Sequence, residues 1–138
     1  MFNEHGEFKV TLRGNILLVV ISGAWNVETG KAYRETILKA IEPVKGKCWG
    51  LISNVNEWEL CTPDCELLTV TLVAECKAQG LKREAVVNNS TESVKLDLFH
   101  KHAIKHTSKT SPDEFKRRFF ETDAEARLWL NNEGYDLK

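Results

Sequence analysis

Three histidines, at positions 100, 102 and 106, are the residues whose types and spacing come nearest to a metal site. His102 and His106 are four residues apart, which places two zinc ligands on one face of a helix. No Asp or Glu lies within this cluster to complete a site or to act as a base, and the interleaved Lys101 and Lys105 would repel a dication. We therefore predict a solvated basic helix end here, and no metal.

Cys61 and Cys65 form the second candidate for chemistry. Their four-residue spacing is neither that of a thioredoxin-like pair nor that of a zinc knuckle. A thiol near a helix start could have a low pKa and serve a redox enzyme or a hydrolase, but small buried cysteines are the ordinary interpretation. The sequence also has no glycine-rich phosphate loop and no Gly-x-Ser-x-Gly motif. We expect no enzyme and no cofactor.

Composition limits the remaining classes of function. The 138 residues carry a formal net charge of −1 and are 42% hydrophobic, which suits one domain spanning residues 1–138. The basic run 116–118 lies among phenylalanines that we expect in the core, so nucleic-acid binding is not predicted. The longest apolar run, 16–21, is too short for a transmembrane helix, and no secretory signal precedes it. We expect a cytoplasmic protein with reduced thiols.

The pattern of apolar residues and turns predicts how these groups are positioned. Gly14-Asn15 between two β-rich runs indicates a tight hairpin, and the all-apolar second run favours a sheet with helices on both faces. Thr122 and Glu125 form a capping box for a last helix that buries Ala126, Trp129 and Leu130. We predict a ββαβαβαβα order, an α/β fold with a mostly parallel, mixed five-stranded sheet and flanking helices. The strands are predicted over 8–12, 16–22, 48–54, 84–88 and 115–120 (an edge strand), and the helices over 26–41, 62–79, 90–102 and from Thr122 onward.

The predicted helix 62–79 is apolar around nearly its whole circumference. Its Leu-Thr-Val-Thr-Leu centre also has strand propensity, so a strand is the alternative. A helix of this kind requires burial on both sides. Its outer face would therefore need a partner or a second copy of the chain.

This order of elements and three local strings resemble the SpoIIAA-like branch of the STAS domains. The strings are Ser-Gly-Ala-Trp-Asn-Val-Glu at 22–28, Leu-Ile-Ser-Asn-Val at 51–55 and Phe-Glu-Thr-Asp-Ala-Glu-Ala-Arg-Leu-Trp-Leu at 120–130. The resemblance covers nearly the whole chain. It implies a protein-interaction module, in some relatives switched by phosphorylation and in others binding small or lipid-like ligands.

Thr62 is the hydroxyl nearest to the place where the resemblance implies a phosphorylated serine. In the sporulation-type antagonists that serine lies in an Asp-Ser-Ser/Thr-Gly stretch after the third strand, whereas this chain has Leu-Cys-Thr-Pro-Asp-Cys at 60–65. A phosphate on Thr62 would meet free backbone N–H groups, but Asp64 would repel it. A plain helix cap is the simpler interpretation of Thr62.

We therefore predict a non-enzymatic regulatory interaction module, homodimeric or bound to another protein through helix 62–79. A charge at whichever of Val70 or Val73 faces outward should break the dimer.

Trp25 and Trp58 are predicted on loops at the carboxyl edge of the sheet, where α/β folds bind ligands. The alternative function is a carrier or sensor of a small apolar or lipid-like ligand, with these tryptophans and the same helix lining a cleft. An alternative interpretation of the tryptophans is that they cover the core.

Overall fold

The computed structural model describes residues 6–89 and 114–137. Within these residues the chain forms five strands and three α-helices. The predicted helix 90–102 and the histidine cluster lie outside the described residues. The strands are β1 (Glu7–Arg13), β2 (Ile16–Trp25), β3 (Trp49–Cys61), β4 (Leu81–Val87) and β5 (Lys116–Phe120), and the helices are α1 (Val27–Ala40), α2 (Pro63–Ala78) and α3 (Asp123–Asn132).

The strands form one mixed sheet in the order β1-β2-β3-β4-β5. β1 pairs antiparallel with β2, and every other neighbouring pair is parallel. The predicted fold class is thus confirmed, as is the edge position of β5. Arg13 lies opposite Ile16, and Gly14 has a φ of 62°, so the two-residue Gly-Asn hairpin is confirmed too.

Local capping explains where the helices begin. The Asn26 side chain accepts a hydrogen bond from the Thr29 backbone N–H at 3.0 Å, which starts α1. At α3, Thr122 and Glu125 form the reciprocal capping box that the sequence predicts. α2 ends where Gly80 adopts a φ of 111°. A Cβ at Gly80 would lie 1.8 Å from the Lys47 carbonyl oxygen, so no other residue fits there.

The sheet separates two hydrophobic layers. α1 and α2 pack on one face around Trp49, Val55 and Leu72, among other residues. α3 packs on the opposite face, where Ala126 and Leu130 are fully buried. The predicted buried face of the last helix is therefore confirmed. Burial on both faces is less complete than the all-apolar second run suggests, because Val20 is 46% exposed.

The third strand is longer than the sequence predicts. It continues to Cys61, and its far end pairs with the end of β2, where Trp25 lies opposite Cys61. The prediction of a loop around Trp58 was wrong, because Trp58 lies within β3. Asn and Glu are depleted in strands, so the segment after residue 54, with Asn56, Glu57 and Glu59, was predicted as a loop. Pairing with β2 and burial of Val55 and Trp58 override that local preference.

Candidate functional site

A cavity of about 250 Å³ lies between α2 and the sheet face that α1 and α2 cover. All four strands from β2 to β5, together with α1 and α2, contribute to its wall. The lining is mostly apolar, with one polar region. The described residues that line it are Ile21, Trp25, Tyr33, Ile37, Ser53, Val55, Trp58, Thr69, Val70, Leu72, Val73, Ala74, Cys76, Lys77, Leu81, Glu84 and Arg117.

One wall of the cavity is an aromatic cluster. Trp25 and Trp58 meet edge to face with ring centroids 6.3 Å apart, and Tyr33 lies 5.0 Å from Trp25. Trp25 also donates a hydrogen bond from Nε1 to the Ser22 carbonyl at 2.9 Å. The prediction that Trp25 and Trp58 lie on loops was wrong. Both are strand residues with side chains under 5% exposed, because a hydrophobic core surrounds them.

The polar region of the cavity centres on a buried ion pair. Glu84 and Arg117 lie directly opposite each other in the parallel register of β4 and β5. Arg117 Nε donates to Glu84 Oε1 at 2.7 Å, and both side chains are only 5% exposed. Ser53 Oγ donates to Glu84 Oε2 at 3.2 Å, so both carboxylate oxygens accept a hydrogen bond. A buried charge pair needs this additional hydrogen bonding to offset its desolvation.

A second cation lies beside this pair. Lys77 Nζ is 4.8 Å from the centroid of the Phe115 ring, and the Arg117 guanidinium carbon is 5.7 Å from the same centroid. Both distances are within the range of cation–π attraction. Lys77 and Arg117 thus bring two positive charges to the same ring at the edge of the cavity.

Burial keeps the other titratable lining residues uncharged. Desolvation raises the pKa of Tyr33, and the charge of the nearby Glu84 carboxylate raises it further. Burial, with smaller contributions from Glu84 and Glu75, raises the pKa of Cys76 to about 12. The phenol and the thiol are therefore neutral at neutral pH, and Glu84, Lys77 and Arg117 carry the charge of the described lining.

α2 forms one wall of this cavity and is held to α1 by a two-point ion pair. Arg34 donates from Nε and Nη2 to the two carboxylate oxygens of Glu75, at 2.8 and 2.5 Å. Hydrogen bonding to Arg34 lowers the pKa of Glu75. Val70 and Val73 are half-buried and belong to the cavity wall. The exposed positions of α2 are Pro63, Asp64, Leu67, Thr71, Ala74 and Ala78.

Thr62 is an exposed residue at the N-cap of α2. Its hydroxyl makes no capping hydrogen bond and donates instead to Asp64 Oδ1 at 2.6 Å. Asp64 Oδ1 also accepts the Cys65 backbone N–H at 2.9 Å. Asp64 therefore accepts the Cys65 N–H of the first turn, and its carboxylate lies within hydrogen-bond distance of the Thr62 hydroxyl, where its charge would repel a phosphate.

The thiols of Cys61 and Cys65 interact with each other at the start of α2. The hydrogen bond with Cys65 and partial burial raise the pKa of Cys61, and the same hydrogen bond lowers the pKa of Cys65. Cys65 is nevertheless fully buried, and a Cβ added at Gly30 would come within 3.0 Å of its Sγ. The thiol with the lowered pKa is thus inaccessible to a substrate, and the accessible one is a poor nucleophile.

Two further observations concern residues 6–89 and 114–137 only. Among them, no three His, Cys, Asp or Glu side chains converge as metal ligands. No helix within this part of the chain has the length and apolar character needed to cross a bilayer.

Sequence reasoning missed Ser53, Glu84, Arg117 and Lys77 as a group. Lys77 was not singled out, Arg117 was seen only as part of the basic run 116–118, and Glu84 was taken as the first residue of a short strand. One signal was available: Glu84 precedes the apolar run 85–87, so a carboxylate there lies close to a buried strand. The parallel pairing that places Arg117 opposite it was not visible locally.

Comparison with solved structures agrees with this topology. A crystal structure of an uncharacterised protein of the DUF3478 family with a SpoIIAA-like fold, from Shewanella loihica PV-4, superposes with a TM-score of 0.68. The two chains are 13% identical over 94% of this chain and 97% of that one. An anti-sigma factor antagonist from Mycobacterium paratuberculosis superposes with a TM-score of 0.57, at 13% identity over 93% and 96% of the two chains.

The chain therefore has the SpoIIAA-like, STAS-type fold that the sequence strings predict. No protein-family model and no curated protein matches the sequence.

Proposed function

We propose that this chain is a non-enzymatic STAS-type regulatory module that binds a second copy of itself through the outer face of α2. The anti-sigma factor antagonist with the same fold supports the regulatory role. In this proposal the chain is a single domain, acts in the cytoplasm, and needs neither a cofactor nor a nucleic acid. A different protein partner on the same face is the other outcome of the tests below.

The exposed stripe of α2 is the observation that carries this proposal. Leu67, Thr71, Ala74 and Ala78 follow the i, i+4, i+7, i+11 spacing of one helix face, and all four are exposed. None is charged, and Leu67 is 67% exposed. An uncharged stripe of mostly small side chains allows two helices to approach closely, as antiparallel or crossed copies of α2 would.

The experiment compares two Leu→Glu variants by native mass spectrometry and by light scattering across a concentration series. Leu67→Glu places a charge on the α2 stripe and should convert dimer to monomer. Leu128→Glu is the matched control, since Leu128 is 61% exposed on α3, which packs against the opposite face of the sheet. A wild-type chain that is monomeric at every concentration contradicts the self-association, as does a Leu67→Glu variant that dimerises normally.

The cavity favours a second candidate function, the carrying or sensing of a small, largely apolar ligand. Its volume of about 250 Å³ exceeds the roughly 150 Å³ of an engineered apolar cavity that binds benzene. The aromatic wall and the buried polar group resemble the apolar lining with few polar contacts that is typical of ligand sites. Native mass spectrometry of protein purified gently from its expression host would detect a retained ligand as a mass adduct.

A further inference from the structure

The charges of the described residues that line the cavity do not balance. Glu84 supplies one carboxylate, whereas Lys77 and Arg117 supply two cations, so the described lining has a formal charge of +1. Arg117 engages Glu84 through Nε, and no other hydrogen bond joins its side chain to the described residues. The ammonium of Lys77 contacts the Phe115 ring and has no carboxylate within ion-pair distance among these residues. The described part of the lining therefore has the donors and the charge to receive one anionic group.

The apolar part of the lining lies beyond this charged edge. Along β3, Val55 lies between Ser53, which bonds Glu84, and Trp58, and Ile21 and Leu72 also line the cavity. A ligand that fits both parts has an apolar body and a single anionic end. If benzene, with six non-hydrogen atoms, occupies about 150 Å³, then 250 Å³ suits about ten such atoms.

We propose that the cavity binds a small carboxylate of about ten non-hydrogen atoms with an apolar tail. The carboxylate lies between Lys77 and the Nη edge of the Arg117 guanidinium, which bonds no described residue, and the tail lies against the tryptophans. Arginine favours this group because its planar N–H donors match a carboxylate. This inference rests on the second candidate function above, and it adds the chemical class of the ligand.

The test uses the whole chain and three eight-carbon probes that differ only in the head group: octanoate, octanol and octylammonium. Thermal unfolding and calorimetry measure binding, since a ligand of the folded state raises the melting temperature. We expect octanoate to bind most tightly and octylammonium most weakly. Lys77→Gln should weaken octanoate about fivefold and leave octanol unchanged, because it removes one partly exposed charge.

Two phenylalanine variants test the location of the tail. Val73→Phe adds volume inside the cavity and should weaken octanoate and octanol at least tenfold. Leu128→Phe is the control, since Leu128 is 61% exposed on α3, which packs against the opposite face of the sheet, and it should leave both affinities unchanged. The three probes and Lys77→Gln decide the question even if Val73→Phe does not fold.

The outcomes separate the two levels of the proposal. If octanol binds as tightly as octanoate and Lys77→Gln changes neither affinity, the carboxylate assignment is wrong and the apolar ligand site stands. Tighter binding of octylammonium also overturns the carboxylate. If none of the probes shifts the melting temperature at millimolar concentration, the cavity is not a ligand site, and the second candidate function fails with it.

Discussion

Arg117→Met would remove the guanidinium from the buried pair with Glu84 and leave the carboxylate with Ser53 as its remaining described hydrogen-bond donor. Glu84→Leu would leave the guanidinium buried instead. Because both side chains are only 5% exposed, water cannot readily take the place of the missing partner. Each single substitution should therefore cost much more stability than the double substitution, which removes both charges together.

The expected magnitude follows from this burial. Removing one partner of a buried pair costs about 3–5 kcal/mol, whereas replacing both by apolar residues is often close to neutral. A domain of this size has a total stability of about 5–15 kcal/mol, so each single variant loses a large share of it. With a urea dependence of about 2 kcal/mol per molar, the unfolding midpoint should fall by about 1.5–2.5 M.

The wild type, the two single variants and the double variant form a double-mutant cycle. Their urea unfolding, followed by circular dichroism, measures the coupling free energy between Glu84 and Arg117. Arg127→Met is the control, because Arg127 pairs with Asp123 on α3 with side chains 43% and 46% exposed. That exposed pair should contribute less than about 0.5 kcal/mol. Single variants at Glu84 and Arg117 that each cost under about 1 kcal/mol, or costs that simply add in the double variant, would refute the reasoning.

Three further predictions concern stability. Leu130→Ala should cost about 2–5 kcal/mol of unfolding free energy, because Leu130 is fully buried. Leu128→Ala should cost under about 0.5 kcal/mol, because Leu128 is 61% exposed. Equal costs of the two variants in urea unfolding would contradict this prediction. Thr122→Ala should cost about 1 kcal/mol by removing the capping box, while Thr36→Ala, within α1, should not lower the melting temperature. The free energy of unfolding should fall as pH rises from about 9 toward 12, because the Cys76 thiol loses its proton at lower pH in the unfolded chain than in the folded one. The Cys76→Ala variant should show a smaller fall. If its pH dependence equals that of the wild type, the raised pKa of Cys76 is contradicted.

Local sequence signals were sufficient for most of the fold. The Gly-Asn hairpin, the Asn26 cap and the Thr122 capping box each depend on residues close together in sequence, and the structure confirms all three. The helical form of α2 is confirmed as well, in spite of its strand-like centre. The two sides of the apolar helix α2 differ in their surroundings: Val70, Val73 and Cys76 line the cavity, Leu67, Thr71 and Ala78 are exposed, and Ala74 lies at the boundary between the two.

The site depended on contacts that local signals do not carry. Trp58 was read in a loop because polar residues surround it, but pairing with β2 extends the strand through it. Val70 and Val73 could not be assigned to an inner or an outer face from an all-apolar helix. The roles of Thr62 and of the α2 stripe in binding a partner remain predictions.

The sequence by itself determined the order of the elements, their caps and turns, and the resemblance to STAS domains, because these depend on periodicity and on neighbouring residues. Only the tertiary structure decided which charges are buried. Glu84 and Arg117 are 33 residues apart in sequence, and the parallel register of β4 and β5 places them opposite each other. The cavity likewise exists because two helices and four strands meet around it, and no single segment of the chain encodes that space.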